Sequence, residues 1–82
     1  MVKVKLFGLL RIDSGIKELS AEADIVKDIF HVLIEAASRN GKTITVKDIN
    51  SCAVMVNGQQ ATRKTKIKDG DEVVFMSMVA GG

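Results

Sequence analysis

Val2, Val4 and Leu6 alternate with Lys3, Lys5 and Phe7. A period of two is the mark of a strand with one buried face, and valine suits that setting. With the valines turned inward, Phe7 faces out beside the lysines, and Gly8 closes the strand. Residues 9 to 15 read as a connection ending in Ser14-Gly15, and residues 16 to 19 as a short second strand. The period then changes. Val26, Ile29, Phe30, Leu33, Ala36 and Ala37 recur at three- and four-residue steps, so residues 25 to 39 are predicted as a helix with one apolar face. Asp24 is the predicted N-cap, because its carboxylate can accept an orphan backbone N–H. Lys27, Asp28, His31, Glu35 and Ser38 fall on the opposite, polar face, and Glu35 and Arg39 form an i, i+4 pair in the favourable order. Asn40-Gly41 stops the helix, with Gly41 suited to a left-handed position.

Residues 42 to 51 carry Ile44, Val46 and Ile49, apolar enough to lie against the body, but no element is assigned to them. Residues 52 to 56 read as a strand. Asn57-Gly58 is a strong hairpin signal, since a type I′ turn needs positive φ at both positions. Residues 59 to 62 form the partner strand. Residues 63 to 68 are basic, with Ile67 as a core anchor, and Asp69-Gly70-Asp71 is a turn. Residues 72 to 78 are the last strand. One helix must therefore cover one sheet, which predicts an α+β roll with the helix packed on one face. The predicted layout is one domain over residues 1 to 78, followed by a flexible Gly-Gly tail over 79 to 82.

Composition narrows the function. At 82 residues the chain is a single small domain, and 46% hydrophobic residues supply a core. A net charge of +2, three Phe and no Trp or Tyr argue against nucleic acid, which calls for basic surfaces with stacking aromatics. The single cysteine, Cys52, excludes an internal disulfide framework and fits a reducing compartment. No apolar run approaches a membrane span, and the alternating N-terminus is unlike a signal peptide. The expectation is a soluble cytoplasmic protein without membrane partners.

Candidate chemistry centres on the last residues, Met76-Ser77-Met78-Val79-Ala80-Gly81-Gly82. Glycine has no Cβ, so its backbone can lie in a channel closed to other residues. Six residues beyond Met76 reach roughly 20 Å when extended, enough to enter another protein's active site. The plain alternative is a frayed chain end. Elsewhere no catalytic constellation is found. His31 has no second histidine and reads as a surface residue. Cys52 reads as a small core hydrophobe rather than a nucleophile, and no metal-ligand spacing is present.

Several stretches together resemble a known family. The opening Val2-Lys3-Val4-Lys5-Leu6-Phe7-Gly8-Leu9-Leu10-Arg11, the central Val56-Asn57-Gly58, and Asp69-Gly70-Asp71-Glu72-Val73-Val74-Phe75 leading to Val79-Ala80-Gly81-Gly82 are similar to the MoaD family, the small subunit of molybdopterin synthase. More distantly the chain resembles ThiS, the sulfur carrier of thiamine biosynthesis. The resemblance implies a ubiquitin-like β-grasp fold with a mixed sheet of four to five strands. It departs from the family where two prolines often precede the final valine, for Ser77 and Met78 stand there.

The resemblance further implies a non-catalytic carrier. An adenylating partner related to ubiquitin-activating enzymes would activate the Gly82 carboxylate with ATP, and a sulfur donor would convert it to a thiocarboxylate, with Gly81 helping the tail to thread. A second partner, a molybdopterin synthase large subunit or similar acceptor enzyme, would take the sulfur. No cofactor is expected to be bound. Partner contacts are expected at Phe7, Val74, Met76, Met78, Val79 and Arg11. Strand parity puts Phe7, Val74 and Met76 together on the open face if Val73 and Phe75 face the helix, and in the core if the parity is reversed. Arg63, Lys64, Lys66 and Lys68 form either a solvated edge or a contact for an acidic partner or a phosphate-bearing substrate. Three readings stay open: a sulfur carrier of the MoaD or ThiS type, a modifier joined through Gly82 to lysines, and an interaction domain with incidental glycines.

Overall fold

The computed structural model describes residues 1–77. Its elements are β1 (Val2–Phe7), α1 (Leu9–Ser14), β2 (Glu18–Ala21), α2 (Asp28–Arg39), α3 (Val46–Asn50), β3 (Cys52–Val56), β4 (Gln59–Ala61) and β5 (Glu72–Ser77). They build one five-stranded mixed sheet in the order β2-β1-β5-β3-β4. The first and last strands lie parallel at its centre, Val4 beside Val73 and Leu6 beside Phe75. The remaining pairs are antiparallel. This is the α+β β-grasp architecture the sequence implied.

The core lies between the sheet and α2. Val2, Val4, Leu6, Val73 and Phe75 point to it from the two central strands, and Ile29, Phe30, Leu33 and Ala37 from the helix. Phe30 meets Phe75 edge to face, with ring centroids 6.1 Å apart at 69°. Burying side chains of this size contributes about 1.5–3 kcal/mol each. The helix ends as its sequence demands. Gly41 has φ 73°, and the Gly41 and Lys42 N–H groups donate to the Ser38 and Ala37 carbonyls, closing the last turn.

Three expectations require correction. Residues 9 to 15 are not an open connection, since α1 occupies Leu9–Ser14 and ends on Gly15 in the left-handed region. Leu10 anchors this helix in the core, and Ser14 is fully buried, its hydroxyl accepting from the Ile16 N–H at 3.1 Å. The strand expected at 16 to 19 begins later, at Glu18, as a consequence. Second, α2 starts at Asp28 rather than Ile25, and Asp24 is not its cap. Asp28 does that work in reverse: its carboxylate accepts the Asp24 and Ile25 N–H groups at 3.0 and 3.2 Å, which holds the approach to the helix in a turn. Those two hydrogen bonds keep the Asp28 carboxyl below its ordinary value. Third, the unassigned residues 42 to 51 contain α3. Thr45 and Asp48 form a reciprocal capping box at its start, and Ile49 drops into the core.

The Asn57-Gly58 turn forms as expected, with φ 51° and 83°. It is also tied to the turn before β5. Asn57 Nδ2 donates to Asp71 Oδ1 and the Glu72 N–H donates to Asn57 Oδ1, both at 2.9 Å, while the Lys68 N–H donates to Asp71 Oδ2. Asp71 is only 8% exposed. The Asn57 amide, then the Lys68 N–H, hold its carboxyl below the ordinary 3.8. Asn57→Ala removes one donor, one acceptor and a residue tolerant of positive φ, so a loss of about 1–3 kcal/mol is expected in denaturant unfolding at neutral pH. A carboxyl with a lowered folded pKa contributes stability above its unfolded value and loses it as pH falls through the folded one. The difference between the wild type and the variant therefore narrows below pH 3.8. An unchanged difference in acid would contradict this account.

Candidate functional site

The face of the sheet turned away from α2 carries the candidate site. Register brings its residues into rows. Phe7 pairs with Met76, and Met76 with Ala53, across β1, β5 and β3. One row along, Lys5 pairs with Val74, Val74 with Met55, and Met55 with Gln60. Phe7 and Met76 are 40% and 41% exposed, and Val74 and Met55 are half-buried. The sequence expectation that Phe7, Val74 and Met76 share the open face matches this placement. It missed Ala53 and Met55, which join the patch because β3 lies against β5. Exposed apolar clusters on one face of a protein often mark partner sites. Methionine gives it an adaptable surface able to fit more than one partner. Lys5 bridges to Glu72 at 3.3 Å beside the patch, an exposed pair that contributes little to stability.

Arg11 is exposed on α1 and lines, with Phe7, Lys5, Lys17 and Glu18, a recess of about 140 Å³ at the rim of this face. The structure thus brings Arg11 to the same edge as Phe7. Leu9 and Ile12 on the same helix are also exposed.

Phe7, Met76 and Ala53 all lie at the end of the sheet where β5 finishes, beside its last residue, Ser77. Ser77 is held on both sides. The Leu10 N–H donates to its hydroxyl at 2.6 Å, and the Cys52 thiol lies 3.7 Å from that hydroxyl. Gly8 approaches so closely that a Cβ there would come within 3.2 Å of the Ser77 carbonyl oxygen, and its φ of 72° disfavours a side chain as well. Sequence reading treated Ser77 as a missing proline, whereas the structure makes it the tie between β5 and the first turn of α1. Ser77→Ala is expected to cost about 1 kcal/mol, and to speed hydrogen exchange of the Leu10 amide relative to the centre of α2. Unchanged exchange at Leu10 would show that the tie is not formed in solution. Met78, Val79, Gly81 and Gly82, the other expected site residues, lie outside the described residues.

The remaining candidates stay apart from this face. Cys52 is half-buried, and burial pushes its thiol above the usual value, with the Ser77 hydroxyl partly opposing the shift. A thiol kept protonated is a poor nucleophile. His31 is exposed on the polar side of α2. Among the described residues no group of three His, Cys, Asp or Glu could hold a metal ion. No helix among them is long and apolar enough to cross a membrane.

Comparison with known proteins bears on what this face serves. The sequence profile of the ThiS family matches residues 4–82. The chain belongs to the ThiS family. It is thereby a ubiquitin-like protein of the ThiS and MoaD type, a group of small sulfur carriers and modifiers. Solved structures agree. Small archaeal modifier protein 1 from Methanosarcina acetivorans is 26% identical, with a TM-score of 0.73, over 99% of this chain and 95% of that one. A chain of the BexX/CysO complex from Amycolatopsis orientalis is 25% identical, with a TM-score of 0.71, over 100% of both. The putative molybdopterin converting factor subunit 1 from Pyrococcus furiosus shares the fold, with a TM-score of 0.68 at 24% identity over 95% of this chain and 97% of that one. No curated protein sequence matches this ThiS-family chain.

Proposed function

We propose that this protein is a sulfur carrier whose Gly82 carboxylate is adenylated and then converted to a thiocarboxylate, and that it delivers that sulfur in the making of molybdopterin. The observation that carries the reading is the ThiS-family match, which runs to Gly82 itself. The fold supports it, because β5 is a central strand and finishes at Ser77 beside an exposed apolar patch. A partner docked there lies next to the point where the final five residues begin.

The chemistry follows from the terminal group. A carboxylate is a poor acyl donor. Attack of its oxygen on the α-phosphate of ATP releases pyrophosphate and gives an acyl-adenylate, in which AMP is a good leaving group. Hydrosulfide, sulfur at the sulfide level supplied by a donor, attacks the acyl carbon and displaces AMP, leaving a thiocarboxylate with no change of oxidation state. That sulfur is a strong nucleophile at neutral pH, as thiolates are. The paired glycines carry no side chain to obstruct passage into a partner's active site. In this reading the catalytic groups come from the partners. An adenylating enzyme and a sulfur-accepting enzyme are its two partners, docking in turn on the Phe7, Val74 and Met76 face.

The MoaD-like opening strand and chain length favour a pterin acceptor. The test is transfer. Thiocarboxylated protein, mixed with a molybdopterin synthase large subunit and its sulfur-free pterin substrate, is expected to lose its sulfur as the dithiolene product forms. Retention of the thiocarboxylate would set the molybdopterin assignment aside. A second reading, conjugation of Gly82 to lysines of other proteins, is favoured by the likeness to small archaeal modifier protein 1, 25–26% identical in two organisms. Both readings begin with adenylation, and the product separates them.

A further inference from the structure

The opposite side of the molecule carries a second surface that the carrier chemistry does not use. Between the start of α2, α3 and the β3–β4 hairpin lies a cleft of about 460 Å³. Val26, Phe30, Ile49, Val54 and Phe75 form its floor, and Asn50, Thr62 and Arg63 its mouth. Phe30, Asn50 and Arg63 also line a neighbouring hollow of about 470 Å³, whose apolar wall includes Ile34 and Val46. Val46 is 50% exposed on α3.

The rim is positive and held in place. The Lys27 N–H donates to the Arg63 carbonyl at 2.9 Å and the Val26 N–H to the Thr65 carbonyl at 3.0 Å, pinning the basic stretch against α2. Within it, the Thr62 N–H donates to the Thr65 hydroxyl and the Lys64 N–H to the Thr62 hydroxyl. Arg63, Lys64, Lys66 and Lys68 make no ion pair among the described residues, where the ion pairs are Met1 with Asp69 and Lys5 with Glu72. The one acid lining either hollow, Asp28, already accepts two backbone N–H groups. An apolar wall of Ile34 and the exposed Val46, beside two exposed cations, Lys27 and Arg63, that form no ion pair among the described residues, selects its ligand by chemistry.

We propose that the hollow beside this cleft docks an acidic segment of a partner protein, seating an apolar side chain against Ile34 and Val46 and pairing its carboxylates with Arg63 and Lys27. The surface lies across the sheet from the Phe7 and Met76 patch, so an acidic partner can bind while the other face is occupied. The proposal does not depend on the sulfur-carrier reading, because binding here requires no activated Gly82.

The probe is a synthetic acetylated hexapeptide, Asp-Glu-Leu-Phe-Asp-Glu, titrated into the full-length isotope-labelled protein and followed by amide chemical shifts. Saturable shifts at Phe30, Asn50 and Arg63 are expected, with affinity falling at least tenfold in Arg63→Glu and falling as salt is raised. The Phe7→Glu protein is expected to bind the peptide unchanged. A peptide with lysine at the acidic positions is expected not to bind. Arg63 is exposed, so its variant keeps the fold, and the spectrum itself reports that. Equal binding of the acidic and basic peptides, shifts confined to Phe7 and Met76, or no shifts at millimolar peptide would overturn the proposal.

Discussion

Deletion of Gly82 is expected to abolish thiocarboxylate formation, and Gly82→Ala to slow it by about a hundredfold, the scale on which misplacing a reacting group by an ångström acts. The reasoning is steric and chemical together. In the carrier reading the carboxylate oxygen that attacks ATP belongs to residue 82, so its deletion moves the carboxylate back one residue, or about 3.5 Å. The alanine variant keeps the carboxylate but adds a Cβ where the carrier reading requires bare backbone. Among the described residues the buried apolar side chains of the core run from Val2 to Phe75. Melting temperature is therefore expected to stay constant while formation of the acyl-adenylate, followed as ATP–pyrophosphate exchange with the activating enzyme, collapses. Normal exchange with the deleted protein would sink the assignment of Gly82 as the reacting residue.

The second large effect belongs to the open face. Phe7→Glu and Met76→Glu each place a carboxylate in the middle of the apolar patch, where Phe7, Met76 and Ala53 lie side by side. A central anchor in an interface is worth 2 kcal/mol or more, so about a thirtyfold loss of affinity is expected for each of the two partners. Both side chains are substantially exposed, and stability should change by no more than about 0.5 kcal/mol. Calorimetric titration with the sulfur-accepting enzyme reads the first quantity and thermal unfolding the second. A variant that binds normally would move the docking site elsewhere, and one that unfolds would mean that the patch belongs to the core.

Particular residues show what could be read from sequence and what could not. Alternation in β1, the 3.6-residue stripe of α2 and the Asn57-Gly58 turn are local signals, and each produced its element. Parity in β1 and β5 grouped Phe7, Val74 and Met76 but left open whether they faced solvent or the core, which the burial of Val73 and Phe75 decides. Ala53 and Met55 were missed because their membership depends on which strand lies beside β5, a long-range fact set by the sheet order. Short helices were missed for a different reason. α1 spans six residues and buries only Leu10 and Ser14, too few to set up a period. α3 spans five, but its start was legible: Thr45 and Asp48 are three apart before an apolar residue, the capping-box spacing. Asp24 drew the helix start too early because the Val26 and Lys27 N–H groups it would have capped donate instead to the Thr65 and Arg63 carbonyls, a pairing set by residues far along the chain. Ser77 illustrates the limit on site reading. Its hydroxyl acts through Leu10, 67 positions away in sequence.

The central claim is that Gly82 carries sulfur, and intact mass spectrometry of the protein purified from its native host tests it most directly. The account predicts a species heavier by the difference between sulfur and oxygen, with fragment ions placing the change on Gly82. An unshifted mass, persisting after incubation with ATP, an adenylating enzyme and a sulfur donor, would contradict it.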